Sequence, residues 1–188
     1  MENLTLPIHI KSQTGEINNN FCVLEFYRND ENENFKTIIG KGDIDDSVHV
    51  SDASYLPNNF FNKIYTNSLD IYNINKENNT ILLKKNGVYE HNIKLSYKMS
   101  ASDGVTYNNI RDLRLCIEQC DPNGKISDCF SIYKTKSSEF ITLNDTFYIE
   151  SIPNSSHSIN FYIIQNITES TDILFTIFNI KWVIKKIV

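Results

Sequence analysis

The sequence predicts an all-β sandwich or barrel, on three observations. From residue 84 to 100, Tyr89, His91, Ile93, Leu95, Tyr97 and Met99 alternate with Glu90, Asn92, Lys94, Ser96 and Lys98. Successive side chains of a strand point to opposite faces, so this is a long antiparallel strand with one face in a core and the other in water. Aromatic residues reach 12% of the chain, and rings fit a pleated surface well. Apolar runs of strand length recur along the chain, separated by turns rich in Asn, Asp, Gly and Pro. A chain of 188 residues reads as one domain, 1–188, long enough to bury a core without staples.

In chain order, the first strand is expected over 4–10, where Leu4, Leu6, Ile8 and Ile10 alternate with Thr5, Pro7 and His9. Pro7 requires an edge or a bulge there. FCVLEFY at 21–27 is the second strand, closed by Arg28 and the polar loop 29–34. Residues 35–39 form a third, and Val48 and Val50 around His49 a short fourth. One segment departs from the pattern. Leu56, Phe60, Phe61, Ile64 and Leu69 fall near helical spacing, and Pro57 suits a first turn, which predicts a short helix over 56–69. Residues 80–84 are expected to pair with the 84–100 strand across Lys85-Asn86-Gly87, a hairpin turn with Gly87 at positive φ. After a strand at 110–120, Asp121-Pro122-Asn123-Gly124 is a turn that folds 125–133 back on it. Runs at 140–143, 147–152, 159–167 and 173–184 bring the series to about nine or ten strands.

Charge and composition exclude several functions. The formal net charge is -5, and the best basic cluster, 181–186, lies within an apolar strand, so a generic nucleic-acid binder is not expected. The apolar stretch 173–184 is broken by Asn179 and Lys181 and is too short to span a bilayer as a helix. The N-terminal MENLTLPIHI has neither the basic nor the apolar region of a signal peptide. The chain holds 25 Asn, 27 Ile and 15 Lys against 3 Arg, a codon bias of an AT-rich genome such as that of a large DNA virus, a virophage, a clostridium-like bacterium or a protist. Sequons at Asn3, Asn78, Asn144, Asn154 and Asn166 are what an Asn-rich chain produces by chance. Cys22, Cys116, Cys120 and Cys129 form no CxxC pair and are expected as free, partly buried thiols. A zinc site of Cys116, Cys120, Cys129 and His91 would have nonstandard spacing.

No catalytic motif is present: there is no GxSxG, no HExxH, and no phosphate-binding loop among the 6 glycines. His9, His49, His91 and His157 are scattered, and His91 sits on the core face of its strand, where a hydrogen-bonded structural role outweighs that of a base. Asp43, Asp45 and Ser47 open like a calcium loop, but Val48 and Ser54 occupy its glycine and glutamate positions, so a solvated acidic loop is expected. Asp30 and Glu31 are adjacent carboxylates with no partner to shift them. The reading is therefore no enzyme, no cofactor and no metal.

Two C-terminal strands are apolar on both faces. In 173–184, Ile173, Phe175 and Ile177 oppose Leu174, Phe178, Ile180 and Trp182, and in 159–164 Tyr162 and Ile164 oppose Ile159, Phe161 and Ile163. The second face must be covered, by another segment of the chain or by a neighbouring subunit. Phe178 and Trp182 are the candidate assembly anchors, because large aromatics dominate such contacts; both could equally be core positions.

Gly87-Val88-Tyr89 leads into the long strand after a short one, and Leu143-Asn144-Asp145-Thr146-Phe147 approximates a Leu-x-x-Gly-Asp turn without its glycine. The apolar run 173–182 comes last. Over residues 79–184 this order resembles the tumour necrosis factor-like family, whose final strand often lies near a symmetry axis. Penton and minor capsid proteins of large DNA viruses and virophages are similar. The resemblance implies an all-β single jelly-roll sandwich of about eight to ten antiparallel strands with a short helix. The leading expectation is a self-assembling virion structural protein, penton or minor capsid, made in the host cytoplasm, a pentamer or trimer with other capsid proteins as partners. The alternative is a tumour necrosis factor-like trimeric surface binding module. A carbohydrate-active enzyme would need paired carboxylates, and none can be nominated.

Overall fold

The computed structural model describes residues 20–27, 36–39, 49–50, 54–56, 58–101, 110–136, 140–165 and 173–188. In chain order the strands are β1 (Phe21–Tyr27), β2 (Lys36–Ile39), β3 (His49–Val50), β4 (Ser54–Tyr55), β5 (Lys63–Thr66), β6 (Tyr72–Asn75) and β7 (Thr80–Leu83). They continue with β8 (Gly87–Ala101), β9 (Ile110–Cys120), β10 (Ile126–Lys136), β11 (Phe140–Ser151), β12 (Ser155–Gln165) and β13 (Ile173–Lys186). The first sheet runs β11-β8-β13-β1-β5, with β2 on β13; the second runs β10-β9-β12-β7-β6, with β3 and β4 on β12.

The pairings are nested. β1 pairs with β13, β7 with β12, β8 with β11, and β9 with β10, every pair antiparallel. This is one antiparallel ribbon whose tip is the Asp121 to Gly124 turn, rolled so that successive rungs fall alternately in the two sheets. The result is a jelly-roll sandwich. At the tip, Asp121 Oδ1 accepts from the backbone N–H of Asn123 and Lys125, both at 2.8 Å, and Gly124 takes φ of 80°. The hairpin expected there is present.

The two sheets close on one core. Tyr97 and Phe175 of the first sheet and Phe161 of the second stack in sequence, with centroids 5.2 Å apart at each step. Trp182, Tyr72, Tyr89, Ile81 and Leu83 are also fully buried. Burying side chains of this size contributes roughly 1.5–3 kcal/mol each.

Three expectations are corrected. Among the described residues there is no helix over 56–69; that stretch carries β5 and turns. Phe60 is pinned by its N–H donating to Asn79 Oδ1 at 3.0 Å while Asn79 Nδ2 donates to the Leu56 carbonyl at 3.3 Å, and Phe61 packs edge-on against Phe60 with centroids 5.6 Å apart. Their spacing follows from a loop filling the sandwich end. Residues 80–84 do not form a hairpin with β8, because β7 belongs to the second sheet and the connection crosses between sheets. β13 is not apolar on two faces either. A bulge between Ile177 and Asn179 inserts Phe178 as an extra residue in the register against β8, so Phe175, Ile177, Ile180, Trp182 and Ile184 all turn to the core. The strand expected at 4–10 and the acidic loop after Asp43 lie outside the described residues.

Gly87 does adopt positive φ, 144°, at the start of β8. The reason is the C-terminal segment: Val88 N–H donates to the Val188 carbonyl at 3.2 Å and Ile187 N–H to the Val88 carbonyl at 2.8 Å. A β-carbon on residue 87 would collide with the Val188 carbonyl. Gly87→Ala is expected to lose about 1–3 kcal/mol, read as a lowered urea midpoint with unchanged m-value. An unchanged midpoint would contradict the close approach.

Candidate functional site

The two predicted anchors separate. Trp182 is fully buried inside its own sandwich, where its Nε1–H donates to His91 Nδ1 at 3.2 Å. Phe178, the bulged residue, is half-buried, and its ring lies 5.2 Å from that of Phe140.

Alternation places the polar residues of β8 on the outer face of the first sheet, and the aligned registers show what accompanies them. Lys94 stands directly opposite Lys181, which is opposite Glu25 and, beyond it, Lys63. Lys98 and Lys185 extend the row along the strands. Among the described residues none of these five lysines makes an ion pair. Around them are exposed rings: Tyr27 at 52%, Tyr65 at 57%, Phe140 at 61% and Tyr148 at 64%. Tyr27 and Tyr65 lie on β1 and β5 at one side of the sheet, Phe140 and Tyr148 on β11 at the other.

The second sheet ends in β10, an edge strand of 11 residues with Ile126, Phe130 and Ile132 exposed on one side. An edge of that length with unpaired backbone groups is a template for association unless something covers it. Inward of it, Arg114 lies across the outer face with its guanidinium 3.7 Å over the Phe130 ring and 5.1 Å from that of Tyr162, and 3.7 Å from Asp128. Asn160 donates from Nδ2 to Glu118 at 3.1 Å. Between the edges β10 and β11 a cleft of about 200 Å³ opens, lined by Ile117, Gln119, Ser127, Cys129 and Glu150. Beside it Tyr133 donates its phenol to Asp145 and closes the sandwich; burial, together with that bond, raises the Tyr133 phenol.

Among the described residues no three His, Cys, Asp or Glu side chains gather as metal ligands do. Cys116 points to the outer face while Cys129 and His91 point inward, so the conceivable zinc set is divided by the sheet. His91 is a hydrogen-bonded core residue. An exposed apolar surface that sequence reading missed is the β10 edge; its signal is the alternation of Ile126, Phe130 and Ile132 with small and polar residues, which gives an apolar face but not whether anything covers it.

No protein family profile and no curated protein sequence matches the chain. Similar solved structures include the globular domain of zebrafish complement 1qA protein, 9% identical, with a TM-score of 0.46, covering 87% of this chain and 94% of that one. Eiger TNF from S. frugiperda is 7% identical with a TM-score of 0.47, covering 90% and 94%. Murine APRIL at pH 5.0 is 7% identical with a TM-score of 0.43, covering 76% and 99%.

The four thiols are free, Cys22 and Cys116 buried, Cys120 and Cys129 half-buried. Burial pushes Cys22 and Cys116 up to about 12, which leaves about a thousandfold less thiolate than an ordinary thiol has at the same pH. Native labelling is expected to modify Cys120 first and to spare Cys22 and Cys116 until the chain unfolds, as peptide mapping would read. Rapid labelling of Cys22 in the native protein would contradict the packing of β1.

Proposed function

We propose that the chain is a trimeric binding module of the tumour necrosis factor-like kind, displayed on a surface and without a catalytic site. The observation that carries this reading is the fit between two surfaces of one molecule. The β10 edge offers Ile126, Phe130 and Ile132 beside the carboxylates of Glu118, Asp121 and Asp128. The outer face of the first sheet offers Tyr27, Phe140 and Phe178 among lysines that form no ion pair with another described residue. Apolar meets apolar and negative meets positive when the edge of one copy lies on the face of the next. A contact between two different patches is heterologous, and it closes as a ring when the rotation between successive copies closes. The sequence resemblance agrees with this arrangement, since Gly87-Val88-Tyr89 opens β8 and the last strand, β13, lies in the middle of the first sheet.

The virion role was motivated by the strand series, the codon bias, the lack of a signal peptide and of an active site, and two C-terminal strands apolar on both faces; the bulge at Phe178 removes the last motive for β13. Phe178 keeps its place as an assembly anchor. Trp182, enclosed within its own sandwich, acts through the core.

Native mass measurement tests the reading: three chains of 21.8 kDa each are expected. Phe130→Asp with Ile132→Asp should give monomers of unchanged melting temperature at low concentration, because central anchors are worth about 2 kcal/mol or more each. Five chains would restore the virion reading, and a wild-type monomer at high concentration would end the assembly account.

A further inference from the structure

One imidazole from each sheet meets at the centre of the sandwich. His91 of β8 and His157 of β12 stack with centroids 5.0 Å apart and planes 15° from parallel, and the Trp182 ring stacks with His91 at 5.8 Å. Both histidines have no exposed surface. Each ring is held at one nitrogen only: His91 Nδ1 accepts from Trp182 Nε1–H, and His157 Nε2 shares a 3.2 Å hydrogen bond with Ser151 Oγ. His91 Nε2 and His157 Nδ1 have no partner.

An indole N–H can only donate, so His91 Nδ1 is unprotonated and the neutral ring carries its hydrogen on Nε2. A proton added to His91 would go to Nδ1, turn an acceptor into a donor facing a donor, and break the bond to Trp182. A proton added to His157 would put a charge against the stacked ring with nothing to compensate it. The inward titratable groups nearby are the phenols of Tyr72 (β6) and Tyr89 (β8) and the thiol of Cys22 (β1), all neutral in acid. The inward charges are Lys186 of β13 and Asp145 of β11, the latter engaged by Tyr133. β7, β9 and β12 bring Ile81, Gln119 and Ile159 to this level and no charge.

We propose that the stacked His91 and His157 pair is an acid-sensitive latch between the two sheets: neutral, it holds them together, and on acidification the sandwich loosens because the pair cannot take up protons while folded. The latch belongs to the single chain and works whether or not copies assemble. Burial lowers His157 to about 4, and burial with the neighbouring ring holds His91 well below the ordinary 6.5. The sign follows. Below pH 6.5 the unfolded chain gains protons at both positions and the folded chain does not, so stability present above 6.5 is lost as pH falls toward the folded values.

Urea unfolding of the full chain between about pH 6 and pH 5 tests the latch. The unfolding constant should rise roughly tenfold per pH unit for each imidazole, so His157→Phe, which keeps a ring in the stack, should flatten the wild-type dependence by about tenfold. Ring-proton NMR of the wild type gives a second readout that does not depend on the variant folding, with two of its imidazoles staying neutral through this range. A pH dependence unchanged in His157→Phe, or all imidazoles titrating near the ordinary value, overturns the proposal.

Discussion

The molecule depends on how β13 is held. It lies between β8 along one side and β1 with β2 along the other, and its inward side chains meet both sheets. A strand paired on both sides has no freedom of register, because a slip of one residue would exchange Trp182 and Ile180 for Lys181 and Asn179 in the core. The bulge at Phe178 performs that exchange once, within the strand, and so lets five large apolar residues share one face. The bonded stack of Trp182, His91 and His157 then links β13, β8 and β12 across the sandwich, and the two surfaces proposed for association follow from which residues the bulge leaves outside.

Much of this was legible in the sequence. The long alternation that became β8 specified its own orientation, since Glu90, Asn92, Lys94 and Lys98 could only face water. The turn at Asp121 to Gly124 fixed the tip of the ribbon through side-chain acceptors and a glycine, all local chemistry. His91 could be assigned to the core from its place in the alternation, although its partner Trp182, 91 residues away, could not.

What was not legible depends on pairing between distant segments. The bulge is invisible in β13 alone, where Phe178 reads as the start of a second apolar face; only the register against Tyr97 and Ser96 reveals the extra residue. The short strand before Gly87 offers a hairpin turn by composition, and which sheet it joins is decided by β12 and β6. Phe60 and Phe61 gave a false helical period because a loop closing one end of a sandwich also buries residues at irregular intervals. The candidate site shared this fate: Trp182 and Phe178 looked equivalent as anchors, and one bulge assigns them to opposite sides of the sheet.

The sequence contains one tryptophan, so its fluorescence reports on this assignment without labelling. If the bulge turns Trp182 into the core of each chain, its emission is blue-shifted and iodide fails to quench it even in solutions dilute enough to contain only monomers. Emission from an exposed indole in dilute solution, protected only as copies associate, would contradict the account by making Trp182 an interface residue.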